Sequence, residues 1–173
     1  MELFSLLDFP DVPEVREVGR SYLENALQKA RTVAEFTGEM ALADDSGLEV
    51  DFLLGAPGIH SARFAGPDAT DQQNVQKILE TLEGVPPEKR GASFQCVLVL
   101  CRPDGVHEAF TGRWQGRIHK FPLGEGGFGY DPVFFLPDKG VTVAQLPAEA
   151  KNKLSHRAQA LVKLRQWMQK EKL

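Results

Sequence analysis

The middle of the chain reads ASFQCVLVLC (92–101), PDG (103–105) and VHEAFTGRWQGRI (106–118). The first stretch is a continuous apolar run, PDG is a turn signal, and the last stretch alternates apolar and polar side chains. Together they predict a long β-hairpin. Helices and strands are interleaved on both sides of this hairpin. That order predicts an α/β protein whose central sheet is mixed, partly antiparallel and flanked by helices, rather than purely parallel.

The flanking segments contain helix and strand signals. Ser21 with Glu24 and Thr70 with Gln73 have the spacing of capping boxes, and each precedes apolar residues at helical spacing. A third helix is predicted at the end of the chain. Short strands are predicted at residues 3–7, at 40–44 and 48–53 on either side of a turn DDSG, and at 133–136. No repeat or linker interrupts residues 1–173, which predicts a single domain.

Composition and the positions of the two cysteines indicate the cellular compartment and the kinds of partner that this chain can have. Cys96 and Cys101 lie five residues apart in one predicted strand, hence on opposite faces and about 16 Å apart, too far for a disulfide. The two thiols are predicted to be buried, which suits a reducing compartment. The sequence has neither the basic start of a signal peptide nor an apolar run long enough to span a bilayer. These observations predict a cytoplasmic protein without membrane contact. A net charge of −4 argues against a nucleic acid polymer as partner, whereas a local cluster of cations could still bind a small anion.

The first candidate for chemistry is the predicted turn at residues 43–47. Asp44 and Asp45 are adjacent carboxylates, which can bind a hard divalent cation and orient or deprotonate a water molecule. The same residues could instead form an Asx turn, in which the carboxylates accept backbone N–H groups. The segment alone leaves both interpretations open.

The second candidate is the glycine-rich stretch GEGGFGYDP (124–132). It contains GxGxxG, but Pro122 precedes it and no helix follows the last glycine, so a dinucleotide-binding turn is excluded. A flexible loop with the aromatic rings of Phe128 and Tyr130 and the carboxylate of Asp131 remains. Its rings could stack on a planar ligand, or they could simply cap the core.

The third candidate is KNKLSHR (151–157), which is predicted to lie near the start of the last helix. Cations oppose the helix dipole at an N-terminus, so they indicate that an anion binds there, although a solvated basic face would look the same. Lys29 and Arg31 on the first helix are by themselves only a polar helix face. A carboxylate turn, a stacking loop and scattered cations together are what a magnesium–nucleotide site requires.

Four stretches resemble the inosine triphosphate pyrophosphatase family in order and separation: SYLENALQKAR (21–31), LADDSGLEVDFLLGAPGIHSARFAG (42–66), GEGGFGYDPVF (124–134) and KNKLSHRAQAL (151–161). The resemblance implies the fold of that family and hydrolysis of deaminated purine nucleoside triphosphates (ITP, dITP and XTP) to monophosphate and pyrophosphate. It also implies Mg²⁺ as cofactor, a role in cleaning the nucleotide pool, and a homodimer.

The resemblance also implies residue roles. Asp45 would be the catalytic base and a magnesium ligand, with Asp44 beside it and Glu17 as a further metal carboxylate. Lys29 would reach the phosphates and Ser46 would contact substrate. The loop residues Phe128, Gly129, Tyr130 and Asp131 would hold the base, with Phe128 stacking on the purine. The oxygen at purine position six would be read by Lys151, Ser155, His156 and Arg157, which complete the pocket.

The chain departs from the family pattern in two places. A strand, a loop of T-x-N-x-x-K type that holds the triphosphate, and a first helix are expected before Glu17, and the sequence begins after them; the fold is therefore predicted to be N-terminally truncated. Arg16 stands where the family often has a second acid. Two alternative functions follow: a remnant that binds purine nucleotide without turnover, and a phosphohydrolase without purine preference.

Overall fold

The computed structural model describes residues 2–15 and 17–172. Five strands form one sheet in the order β1-β2-β3-β4-β5, and every described pairing is antiparallel. The strands are β1 (Ala41–Val50), β2 (Gly91–Cys101), β3 (His107–Ile118), β4 (Phe134–Leu136) and β5 (Val141–Thr142). The helices are α1 (Tyr22–Thr37), α2 (Asp71–Thr81), α3 (Ala148–Leu154) and α4 (His156–Glu171).

The predicted α/β class, the central hairpin and the helix starts are confirmed. β2 and β3 pair along their whole lengths, from Gly91 opposite Arg117 to Cys101 opposite His107. The Ser21 side chain accepts a hydrogen bond from the backbone N–H of Glu24 at the start of α1, and Thr70 and Gln73 form a capping box at the start of α2. Short-range signals of this kind survive in the fold because capping and hairpin turns depend on neighbouring residues.

The predicted strand at residues 3–7 is wrong. This segment makes no sheet pairing in the described residues, and a short 3-10 helix occupies Leu6–Asp8. Leu3, Phe4, Leu6 and Leu7 are all exposed, so no apolar face of the segment packs against a core. All strand pairings of the described sheet are antiparallel, so this sheet is not of the mixed kind that was predicted.

The predicted turn DDSG is also wrong. Residues 41–50 form one continuous strand, in which Asp44 lies opposite Leu98 and Asp45 opposite Val97. The second strand predicted at 48–53 is the end of β1, followed by a 3-10 helix at Asp51–Leu53. Asp, Ser and Gly are poor strand formers, but pairing along the length of β2 satisfies the backbone of this segment and overrides its local preference.

Side chains on the two faces of the sheet enter different clusters. One face packs against α1 through small side chains, including Ala26, Ala30 and Ala41, together with Val99 and Cys101. The opposite face packs against α4 in a cluster that contains Cys96, Leu98, Phe110, Ala160 and Leu164, and against α2 in a larger cluster that contains Leu48, Val50, Val75, Ile78 and Phe94. Cys96 and Cys101 therefore lie on opposite faces, as predicted. Within residues 2–15 and 17–172, no helix has both the length and the apolar character needed to cross a membrane.

Candidate active site

One half of the site is a cluster of charged side chains on the α1 face of the sheet. Lys29 Nζ lies 2.9 Å from Glu17 Oε1 and 3.2 Å from Asp45 Oδ1. Asn25 Nδ2 donates to Asp45 Oδ2 at 3.2 Å, and Arg63 Nη1 lies 3.5 Å from Glu17 Oε2. We call these five residues the phosphate-side cluster, after the contact with phosphates that the family resemblance implies for Lys29. The structure thus brings together Glu17, Lys29 and Asp45, three of the residues predicted from the sequence.

Helix α1 and the loop before it position this cluster. Asn25 is buried, and its Oδ1 accepts the backbone N–H of Gly19 at 2.8 Å while its amide nitrogen reaches Asp45. Lys29 lies one turn further along α1, so both side chains project from the same helix face toward β1. Asn25 was not predicted from the sequence, because its partner Asp45 lies 20 residues further along the chain. Arg63 belongs to the SAR sequence of the loop 55–66 but received no role.

The charges in this cluster shift one another's pKa. Burial raises the pKa of Asp45, and the Lys29 charge with the Asn25 hydrogen bond offsets only part of that effect. Burial acts the same way on Glu17, but hydrogen bonds and charge from Lys29 and Arg63 outweigh it and hold the pKa of Glu17 below its usual value. Burial would lower the pKa of Lys29, yet the two carboxylates raise it, so the ammonium stays charged. A carboxylate with a raised pKa beside a fixed cation is suited to accepting a proton.

The other half of the site lies on the opposite face of the same strand. Arg157 Nε and Nη2 lie 2.8 and 2.7 Å from Asp44 Oδ2, and the Ser46 hydroxyl donates to the same oxygen at 3.2 Å. Adjacent residues of a strand point to opposite faces, so Asp44 and Asp45 cannot both lie in the phosphate-side cluster. The structure therefore does not bring Asp44 together with Glu17 and Asp45.

The basic segment 151–157 does not lie at the start of a single helix. Lys151 and Lys153 are in the last turn of α3, where cations suit the helix dipole, and Ser155 separates α3 from α4. The prediction of misplaced cations at a helix N-terminus is wrong for these two lysines. Ser155 uses its hydroxyl to cap α4 by accepting the backbone N–H of Ala158.

His156 and Arg157 form the first turn of α4 but have different surroundings. His156 is buried, its ring stacks on Phe94 with centroids 5.0 Å apart, and its Nδ1 has no hydrogen-bond partner in the described part of the chain. Burial, with the nearby charges of Arg157 and Lys151, lowers the pKa of His156 to about 4. The start of this helix therefore carries a neutral imidazole whose Nδ1 is buried and unpartnered in the described part of the chain.

The glycine-rich loop is fixed at several points. Phe128 N donates to Asp131 Oδ2 at 3.0 Å, Gly129 N donates to Asp71 Oδ2 at 2.6 Å, and Lys151 pairs with Asp131. Lys151 Nζ lies 4.1 Å from the centroid of the Phe128 ring. The ring of Phe128 is exposed, as a stacking surface must be.

Tyr130 does not share that exposure. Its ring is buried in the cluster beneath α2, and its hydroxyl donates to the carbonyl of Ser61 at 2.8 Å. Of the two interpretations of the loop, a stacking surface fits Phe128 and a core cap fits Tyr130. Asp131 is also buried and holds the loop through Phe128 N and Lys151, so its contacts are those of a loop anchor.

Comparison with known proteins identifies the family of this chain. Residues 1–167 match the model of the Ham1 family. The chain belongs to the Ham1 family. Two of its relatives, from Geobacter sulfurreducens and Geobacillus kaustophilus, carry the name dITP/XTP pyrophosphatase. The first is 54% identical over 163 residues, which are 94% of this chain and 82% of the relative, and the second is 50% identical over 168 residues, which are 96% and 82%.

Solved Ham1 structures have the same fold. The HAM1 protein of Coxiella burnetii superposes with a TM-score of 0.90 at 43% identity, covering 95% of this chain and 84% of that one. A dITP/XTP pyrophosphatase from Mycobacterium abscessus gives 0.81 at 44% identity, with 94% and 83% coverage. The predicted family resemblance and α/β class are thereby confirmed. Several of these relatives carry the name dITP/XTP pyrophosphatase, which confirms the prediction that the chain is a hydrolase.

Proposed function

We propose that the chain hydrolyses deaminated purine nucleoside triphosphates, dITP, ITP and XTP, to the monophosphate and pyrophosphate, and so removes them from the nucleotide pool. The observation that carries the proposal is the adjacency of two different polar sites on β1. Asp45 faces a lysine and a second carboxylate on one side of the sheet, and Asp44 faces Arg157 on the other. β1 is an edge strand of the described sheet, so a nucleotide that passes this edge can place its phosphates at one site and its base at the other.

Glu17 and Asp45 are the residues that would hold Mg²⁺. No group of three or more acidic, His or Cys side chains with metal-binding geometry occurs in residues 2–15 and 17–172. Two carboxylates nevertheless fit this ion, because Mg²⁺ in nucleotide sites is commonly bound by one or two carboxylates together with substrate phosphates. Both carboxylates already contact one cationic group, the Lys29 ammonium, so positive charge is stable between them. Bound there, Mg²⁺ would neutralise negative charge on the triphosphate.

Asp45 is the proposed general base. Its carboxylate accepts a proton from a water molecule while the water oxygen bonds to the α-phosphorus and pyrophosphate leaves. The hydrogen bond from Asn25 fixes the orientation of the Asp45 carboxylate. Lys29 is proposed to turn from the carboxylates toward the phosphates, which offer its ammonium the same kind of oxygen partner.

Base selection is assigned to the side with Arg157 and the Phe128 loop. A deaminated purine carries an oxygen acceptor where adenine carries an amino donor. Donors such as Arg157 pair with that oxygen, while adenine would leave them unpaired at a cost of roughly 1–3 kcal/mol for each donor that the bound base buries. Phe128 supplies an exposed ring for stacking, and Lys151, Ser155 and His156 complete the proposed pocket. By its family resemblance, we further propose that the chain acts as a homodimer in the cytoplasm.

The test is a Mg²⁺-dependent assay of the 173-residue chain with dITP, dATP and dTTP, in which the products are identified as well as counted. We expect monophosphate and pyrophosphate from dITP and little product from the other two. Equal rates on all three would contradict purine selection and favour a general phosphohydrolase. Binding of inosine monophosphate without turnover of dITP would show a nucleotide-binding protein instead.

A further inference from the structure

Successive side chains of β1 point to opposite faces of the sheet, so Asp44 has different contacts from its neighbour Asp45. Asp44 and Asp45 are neighbours in the chain, and both look like ligands of one metal ion. In the strand, however, Asp45 contacts Asn25 and Lys29 of α1, whereas Asp44 contacts Arg157 of α4 on the other face. A role for Asp44 must therefore be sought on the base side of the sheet.

The contacts of Asp44 are concentrated on one oxygen. Arg157 Nε and Nη2 and the Ser46 hydroxyl all lie within 3.2 Å of Asp44 Oδ2. A guanidinium has five N–H groups in a rigid planar fork, so two nitrogens held by one carboxylate oxygen fix the direction of the others. The hydroxyl of Ser46 in turn restrains the carboxylate. Asp44 thus sets where the remaining N–H groups of Arg157 point.

The pair is too exposed to exist mainly for stability. The side chains of Arg157 and Asp44 are 40% and 36% exposed, and ion pairs with this exposure contribute little to folding. His156, with its unpartnered Nδ1, precedes Arg157 in the same helical turn. The guanidinium is therefore held where a ligand can reach it, next to a buried imidazole whose Nδ1 has no hydrogen-bond partner in the described part of the chain.

We infer that Asp44 is a positioning residue for Arg157, and that it sets the preference for deaminated purines without binding the metal. The inference rests on the proposed function, because it takes Arg157 to be the residue that reads the base. Removing the carboxylate frees the guanidinium to rotate. The oxygen of a deaminated base then loses a prepared donor, while adenine, which never used that donor, loses little.

The experiment compares kcat/KM for dITP and dATP in five variants. These are Asp44→Asn, Asp44→Glu, Arg157→Ala, the double variant Asp44→Asn with Arg157→Ala, and Asp138→Asn. Asp138 is an exposed aspartate in the turn between β4 and β5 and serves as a matched control for loss of one carboxylate charge. Asp44→Asn is expected to reduce the ratio of kcat/KM for dITP to kcat/KM for dATP about ten- to a hundredfold, which is the scale of one charge-assisted hydrogen bond. Asp44→Glu should restore part of the ratio, and Asp138→Asn should not change it.

The double variant gives the sharpest outcome. If Asp44 acts through Arg157, the double variant has the same ratio as Arg157→Ala alone. Independent, multiplying effects would overturn the inference, as would an unchanged ratio in Asp44→Asn. A titration of Mg²⁺ against rate separates the metal-ligand alternative, because a much higher half-saturating Mg²⁺ concentration in Asp44→Asn would assign Asp44 to the metal.

The same data distinguish failure of the proposed function. A wild-type chain that does not prefer dITP over dATP would contradict the function itself, and the inference with it. A wild-type chain that does prefer dITP, combined with an Asp44→Asn variant that keeps this preference, would contradict the inference alone. Circular dichroism melting of each variant identifies any loss of rate that comes from unfolding.

Discussion

Asp45 has three features that suit the role of general base proposed for it. It is buried, its pKa is raised chiefly by that burial, and its two oxygens are held by Asn25 and Lys29. Burial makes the carboxylate a stronger base, and the fixed partners reduce the reorganisation needed when it accepts a proton. Glu17 shares Lys29 but has a lowered pKa, so the two acids are suited to different tasks.

We predict that Asp45→Asn reduces turnover of dITP by roughly 10²- to 10⁴-fold, the usual contribution of a positioned general base. Asparagine has nearly the same shape and can still accept the Asn25 hydrogen bond, so the fold should be retained. The measurement is kcat with product identification, alongside thermal melting. Asp138→Asn is the control for charge loss, and near-wild-type turnover by Asp45→Asn would remove Asp45 from the chemistry.

The start of α4 lies directly on β3. A Cβ at Gly112 would come 1.8 Å from the backbone oxygen of His156, a contact that no side-chain rotation can relieve. Gly112 is thus required by the close approach of the strand to the helix. The same approach packs His156 against Phe94 of β2 and sets the position of Arg157 in the next residue.

Gly112→Ala is expected to push the first turn of α4 away from the sheet and to lower the free energy of unfolding by about 1–3 kcal/mol or more. Chemical denaturation is the direct measurement. Gln115→Ala, at an exposed position of the same strand, should cost far less. Equal stability of the two variants would show that α4 can shift freely.

His156 predicts a pH dependence of stability. Its pKa is lowered from an ordinary value of 6.5 to about 4 in the folded chain, so the unfolded state binds more protons between these two values. Stability contributed by the neutral ring is therefore complete above pH 6.5 and is lost as the pH falls toward 4. Between pH 7.5 and 4.5 the loss should be roughly 2–3 kcal/mol. His156→Phe, which keeps a ring on Phe94, should lack this part of the pH dependence, and an identical pH profile would contradict the assignment.

At the scale of the whole molecule, β1 separates two halves of the proposed site. The phosphate-side cluster lies with α1, and the Arg157 side lies with α4, on opposite faces of the sheet. The two sides share no side-chain partner in the contacts described above. Effects on hydrolysis and on base choice should therefore be separable by substitution.

Lys29→Gln is expected to lower kcat/KM for dITP and dATP by the same factor, because both substrates carry the same triphosphate. Arg157→Ala should instead lower the ratio between them. Since the sites share no partner, the effects should multiply in the double variant. A change of base preference caused by Lys29→Gln would show that the two halves are coupled.

The sequence predicted correctly those elements whose determining residues are close together in the chain. It predicted wrongly where pairing with a distant strand determines the local structure. The capping residues Ser21 and Thr70 and the β2–β3 hairpin could be predicted because their partners are a few residues away. Asp44 and Asp45 were assigned to a turn because Asp, Ser and Gly favour turns, and only the register with β2 shows that they belong to a strand. The break between α3 and α4 was not predicted, because the polar residues around Ser155 were interpreted as the start of a single last helix. Arg16 lies outside the described residues.

The distances along the chain between the contacting residues have a consequence for the order in which the site assembles. Lys29 contacts Glu17 and Asp45, which are 12 and 16 residues away along the chain, whereas the contacting residues Arg157 and Asp44 are 113 residues apart. Short loops close at a lower entropic cost than long ones, and contacts between distant segments form late. In a chain that is only partly folded, or in which α4 opens briefly on warming, the proposed hydrolytic residues are already in place while the proposed base reader is not. Discrimination between purines should then fade at a lower temperature than hydrolysis itself.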